Sequence, residues 1–113
     1  MGVYQTLRQA ILTKQPCLIA KPGEPPRRVC PYRLGKSAKG EVNVIYYQFG
    51  GYTKHPGGLK PDGYSENWRC NHVADIERAS MLDERWHEPN ARPRTSGASS
   101  GRCVVDADVE VAH

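Results

Sequence analysis

The sequence predicts a mainly β domain of about five short strands and one N-terminal helix, closed into a small β-barrel or a strongly curled sheet. Three observations predict it. The 113-residue chain carries 11 glycines and 9 prolines, too many for a helical bundle, because Pro removes a backbone donor and Gly makes helix formation entropically costly. Apolar residues alternate over several short runs, most cleanly in 102–111, which is the period of a half-buried strand. With a mass of 12.6 kDa and a mean hydropathy of −0.67, the chain has apolar surface for one core rather than two.

The elements follow in order. Val3, Leu7, Ala10 and Ile11 recur at helical spacing, which predicts an amphipathic helix of about three turns that Pro16 ends. Cys17-Leu18-Ile19-Ala20 is an apolar run of strand length, followed by the turn cluster Pro22–Pro26. Residues 27–34 read as a strand with Cys30, Tyr32 and Leu34 on one face, and Pro31 marks it as an edge strand or a bulged one. A glycine-bracketed loop, 35–40, leads to 41–49, which is rich in Val, Ile, Tyr and Phe and reads as a central strand. Residues 50–66 show no periodicity and read as a flexible loop. Residues 67–73 return to strand, and Val73, Ile76, Ala79 and Leu82 predict a short helix or extended turn after it. A Pro-, Arg-, Ser- and Gly-rich linker at 89–101 precedes the last strand, with Cys103, Val105, Ala107, Val109 and Val111 inward and Asp106, Asp108 and Glu110 outward. The reading is therefore one domain over 1–113, its ordered core being about 3–88 plus a C-terminal strand at 102–112.

The formal net charge is +4, and it is unevenly placed. Residues 1–50 hold eight Lys/Arg against two acids, Glu24 and Glu41. A basic half suits a polyanionic partner, although such a balance also serves solubility alone. The cysteines Cys17, Cys30, Cys70 and Cys103 contain no CxxC pair, so a zinc site is not expected. Without a secretory signal pattern a disulfide framework is not expected either, and the thiols read as small buried hydrophobes. No apolar run approaches the roughly 18 residues of a membrane span. The expected setting is cytoplasmic, with no membrane, metal or cofactor.

Three segments resemble the WYL domain family. The helix Leu7–Ile11 resembles the helical entry that precedes the family's barrel. Arg28, Pro31 and Leu34 match its R-x-x-x-P-x-x-L segment, and Trp68, Arg69, Val73 and Ile76 match its later strand. The similarity covers about residues 7 to 88. It implies an SH3- or Sm-like β-barrel, found in transcription regulators, that holds a nucleic acid or a nucleotide-like ligand. At the place of the naming tripeptide this chain has Val42-Asn43-Val44, and Asn71 and Asp75 replace an expected Phe and basic residue.

The candidate binding residues come from strand parity. Arg33 and Arg69 alternate away from Tyr32, Leu34, Trp68 and Cys70, so both are expected at the surface, with Lys36 and Lys39 in the adjacent hairpin and Tyr46 on the central strand. A tyrosine that stacks a base beside guanidinium groups that grip phosphate is the chemistry of single-stranded nucleic-acid binding. The competing reading makes Tyr46 a core residue and the arginines ordinary solvated ones. Trp68 and Trp86 read as packing residues, and His55 as a solvated loop residue. His72, with Cys30 or Cys70, is the one arrangement that could supply a nucleophile and base, but no spacing commits it. There is no P-loop, dinucleotide fingerprint or catalytic carboxylate pair, and a non-enzymatic binding domain is expected. The alternative is a protein-interaction module or homodimer using the 50–66 loop, the acidic face of the last strand and an exposed edge.

Overall fold

A computed structural model describes residues 2–54, 57–62, 64–89 and 102–111. His55 and residues 90–101 of the expected linker lie outside the described residues. The helix α1 spans Val3–Thr13 and buries Leu7, Ala10 and Ile11. It ends at Lys14, whose left-handed backbone (φ 50°) turns the chain towards Pro16. The strands are β1 (Cys17–Ala20), β2 (Arg27–Lys36), β3 (Val42–Gly51), β4 (Trp68–His72), β5 (Arg78–Met81) and β6 (Asp106–Glu110). All pairings are antiparallel, in the order β4-β3-β2-β1-β5, with β6 added to β2. The mainly β class is as expected from the sequence.

Two features of the expected architecture are corrected. The sheet has six strands rather than about five, and it is open: β4 and β5 end the path, and no pairing joins them among the described residues. The sixth strand is β5, where the apolar period of three predicted a helix or turn. That period is produced by a single 3-10 turn, Val73–Asp75, followed by a four-residue strand pairing with β1.

β2 organises the molecule. One of its edges runs along β3, and the other is divided between β1 (Arg27–Val29) and β6 (Arg33–Lys36). At Gly35 the last strand lies so close that a Cβ would sit 2.7 Å from Ala107 Cα, so only glycine fits. Pro31 is tolerated in this central strand through a bulge: Pro31 faces Tyr46 and Arg33 faces Ile45, with Tyr32 inserted between. The inserted residue reverses parity. Cys30 and Leu34, expected on one face, therefore pack on opposite faces.

Two cores result. Beneath α1 lie Cys17, Ile19, Val29, Leu34, Val44, Tyr46 and Val109. The opposite core holds Cys30, Ile45, Tyr47, Trp68, Cys103 and Val104, with Tyr32 and Trp86 packed against them. Tyr32 meets Trp68 edge-on at 4.8 Å between ring centroids and Trp86 at 5.0 Å, within the range of favourable aromatic pairs. In the last segment the expected alternation holds from Asp106 onward but fails before it: Val104 is buried and Val105 exposed, because the strand begins only at Asp106.

Cys70 and Cys103 form a disulfide with Cα atoms 6.1 Å apart. The expectation of four free thiols is thereby corrected for this pair. Spacing along the chain does not reveal that β4 and the start of the last segment lie side by side on one core. The bridge fixes Cys103 where its carbonyl accepts a hydrogen bond from Asn43 Nδ2 at 2.9 Å.

Candidate anion-binding cluster

The site is built at the start of β2, beside the middle of β3. β3 and β4 pair in a register that sets Tyr46 opposite Arg69 and Val44 opposite Asn71, so Tyr46, Arg69 and Asn71 lie towards the α1 face. Arg27 opens β2 immediately after the Pro22–Pro26 turn, and its side chain is buried there. Its Nη1 donates to Tyr46 Oη at 3.4 Å, and Tyr46 Oη in turn donates to Asn71 Oδ1. Arg27 Nη2 donates to Glu24 Oε1 at 3.0 Å, and Lys54 Nζ lies 2.7 Å from Glu24 Oε2. The Tyr52 ring centroid is 5.8 Å from the guanidinium carbon of Arg27, in cation–π range. Arg69 Nη1 donates to the carbonyls of Glu66 and Trp68.

Cations outnumber carboxylates. Lys21, Arg27 and Lys54 interact with Glu24, Lys21 also with Asp75, and Arg69 with Arg27 and Tyr46. Burial, then the neighbouring Arg27, pushes the Lys21 ammonium below its ordinary range. Burial likewise holds Arg69 down, with Arg27 acting in the same direction. For Arg27 itself burial also pulls downward, but Tyr46 and Glu24 outweigh it and leave the guanidinium raised. The Tyr46 phenol is raised by burial, against the pull of Arg27 and Arg69. Two buried polar atoms here, Arg27 Nε and Gln48 Oε1, have no hydrogen-bond partner among the described residues; leaving such groups unpaired costs free energy.

The five residues singled out from the sequence do not form one patch. Arg33 and Arg69 are both opposite their apolar neighbours, as parity requires. Arg33, however, shares a face with Ile45 and Cys70, while Arg69 shares one with Tyr46. They lie on opposite faces of the sheet. Arg33 Nε is 3.3 Å from Glu110 Oε2, an ion pair without hydrogen-bond geometry. Lys36 and Lys39 are exposed at the β2–β3 hairpin. Tyr46 is fully buried, so its ring offers no face for a base, and the stacking role expected of it is corrected to that of a hydrogen-bond relay. Only Tyr46 and Arg69 of the five come together. Arg27, Glu24, Lys54 and Asn71 were missed: Arg27 read simply as the first residue of a strand, and nothing in one sequence shows that a turn, a loop and two neighbouring strands converge on it.

The thiol–base arrangements are also answered. Cys70 is in the disulfide, and His72 Nδ1 lies 3.1 Å from Glu41 Oε2 and 2.6 Å from Asn43 Oδ1. Cys17 and Cys30 are buried, and burial pushes both thiols up to about 12, away from the thiolate a nucleophile needs. On the face opposite the cluster, His87 stacks on Phe49 at 4.0 Å and its Nδ1 is 3.1 Å from Asp62 Oδ2. Its backbone N–H donates to Cys30 Sγ at 3.4 Å. The thiol beside it is therefore the protonated, buried Cys30.

The chain matches no protein-family model, no curated protein and no solved structure. None of the described helices is long and apolar enough to cross a membrane.

Proposed function

We propose that this chain is a WYL-like, non-enzymatic regulatory domain that holds the phosphate of a nucleic acid or of a small nucleotide-like ligand over Arg27 and Arg69. One observation carries the reading: the buried Arg27 guanidinium reaches the buried Tyr46 hydroxyl at 3.4 Å and shares the Glu24 carboxylate with Lys54, with Arg69 facing Tyr46 across the β3–β4 register. Holding like charges together in a desolvated region is unfavourable, and an anion offsets it. A guanidinium fork also matches phosphate geometry in two directions at once. The segments that resemble the WYL family support the same reading, because they form β2 and β4 on either side of β3, where the cluster lies.

A salt titration of single-stranded DNA binding, with inorganic pyrophosphate as the small-anion probe, tests it. Affinity is expected to fall steeply as salt rises, through counterion release. Absence of binding at low salt, or binding indifferent to salt, overturns it. A second reading, a protein-interaction module or homodimer, draws on β5, which ends the sheet with no further strand beside it among the described residues. Light scattering at several concentrations separates the two, since a strict monomer removes the homodimer.

A further inference from the structure

We infer that Glu24 is the resident anion of this cluster, seated where a ligand's phosphate binds and exchanged for it on binding. The inference rests on the reading of the cluster as an anion site, and goes on to name the group that regulates it and the ligand charge it selects.

The two oxygens of Glu24 are divided between two cations from separate parts of the chain. Oε1 takes Arg27 Nη2 at 3.0 Å and Oε2 takes Lys54 Nζ at 2.7 Å. One anionic group bridged by a guanidinium and an ammonium is how proteins hold phosphate oxygens. The two cations differ in access: the Arg27 side chain is 7% exposed and that of Lys54 is 70% exposed. Glu24, at 9%, therefore joins a buried guanidinium to a solvent-exposed ammonium. The carboxylate also sits outside the sheet. It belongs to the Pro22–Pro26 turn between β1 and β2 and takes part in no strand pairing; the backbone bond shown for it is Glu24 N to Lys21 O, 3.1 Å. Swinging it out breaks no sheet hydrogen bond. The two neighbouring cations pull its carboxyl below the ordinary range, Lys54 first, so it is ionised in its seat at neutral pH.

Exchange defines the ligand by charge. A monoanion merely replaces one negative charge with another. A phosphomonoester or pyrophosphate brings two or more, and the added charge is favoured by Lys21, which interacts electrostatically with Glu24 in its seat. The site is therefore selective for multiply charged phosphates over carboxylates and chloride.

Glu24→Gln tests this in the full-length protein by isothermal titration with inorganic pyrophosphate, with acetate as the monoanion control at matched ionic strength. The variant is expected to bind pyrophosphate about tenfold more tightly than wild type, the effect of no longer displacing a carboxylate from its two charge-assisted contacts. Acetate is expected to bind neither form. Equal or weaker pyrophosphate binding by the variant, with wild-type binding intact, overturns the inference and leaves the anion site standing. No binding by either form overturns the anion site itself. Should the variant be unfolded in buffer, followed by circular dichroism, pyrophosphate at millimolar concentration must restore the fold where sodium chloride of equal ionic strength does not. Failure to restore it also overturns the inference.

Discussion

Ile45 and Tyr47 project from β3 into an aromatic packing around Trp68 that is closed by the Cys70–Cys103 bridge. Tyr46, between them in sequence, projects the other way and ends among Arg27, Asn71 and Arg69. Both faces bury an apolar core; the first adds a covalent linkage and ring contacts, the second adds hydrogen bonds and opposed charges. Successive residues of one strand thus carry different duties: Ile45 and Tyr47 pack on the first face, whereas Tyr46 on the second relays hydrogen bonds between Arg27 and Asn71. The two faces are expected to fail under different conditions.

Extremes of pH separate them most strongly. The folded-state value of Cys30 is raised to about 12 from 9.0, so its contribution is fully present below about pH 9 and is lost as pH rises through the folded value. Glu24 is shifted the other way, and its contribution is present above its unfolded value of 4.5 and lost as pH falls below it. Alkaline unfolding followed by tryptophan fluorescence is expected to move to higher pH in Cys30→Ala. Glu24→Gln lacks that contribution at every pH, so it is expected to be less stable than wild type at pH 7, to converge with it as pH falls below 4.5, and to reach its acid unfolding midpoint at higher pH. An alkaline limit unaltered in Cys30→Ala removes Cys30 as its cause.

Next in size is the disulfide. Its loop spans 33 residues, and loop-closure entropy gives it about 3 to 4 kcal/mol. Urea unfolding of Cys70→Ser/Cys103→Ser is expected to show that loss while pyrophosphate affinity stays within about twofold, because the bridge lies on the face away from Arg27. An equal loss of affinity would show that the faces are not independent. Smaller again is Tyr46→Phe, which removes the hydroxyl joining Arg27 to Asn71 and is expected to cost about 1 to 2 kcal/mol and to weaken pyrophosphate binding. The smallest effect belongs to Lys36→Ala/Lys39→Ala. Both side chains are exposed and distant from the cluster in the sheet register, so stability should change by less than about 0.5 kcal/mol and pyrophosphate binding not at all.

How far these faces are legible in sequence depends on what sets them. α1 is legible because Leu7, Ala10 and Ile11 repeat at its own period and are its buried residues. β3 is legible because β-branched and aromatic residues fill both its faces. The relation between Arg33 and Arg69 is not, since it depends on Tyr32 being the inserted residue of a bulge and on the β3–β4 register. Pro31 announces a bulge without saying which residue it expels. β5 escaped because four residues are too few to display a period. The cluster escaped for a different reason: Glu24, Arg27, Lys54 and Arg69 come from two loops and two strands, and each alone looks like an ordinary surface charge.

The division of β2 between β1 and β6 governs how this chain must be born. Lys36 pairs with Val42 across a hairpin that can close within microseconds, but also with Asp106, 70 positions further along. Until that distant segment leaves the ribosome, half of one β2 edge has only water to bond. The nascent domain therefore carries a ready-made template for another strand throughout synthesis. Slowing translation would lengthen that exposure, and a chain stalled before residue 106 is the form of this protein most prone to stick to its neighbours.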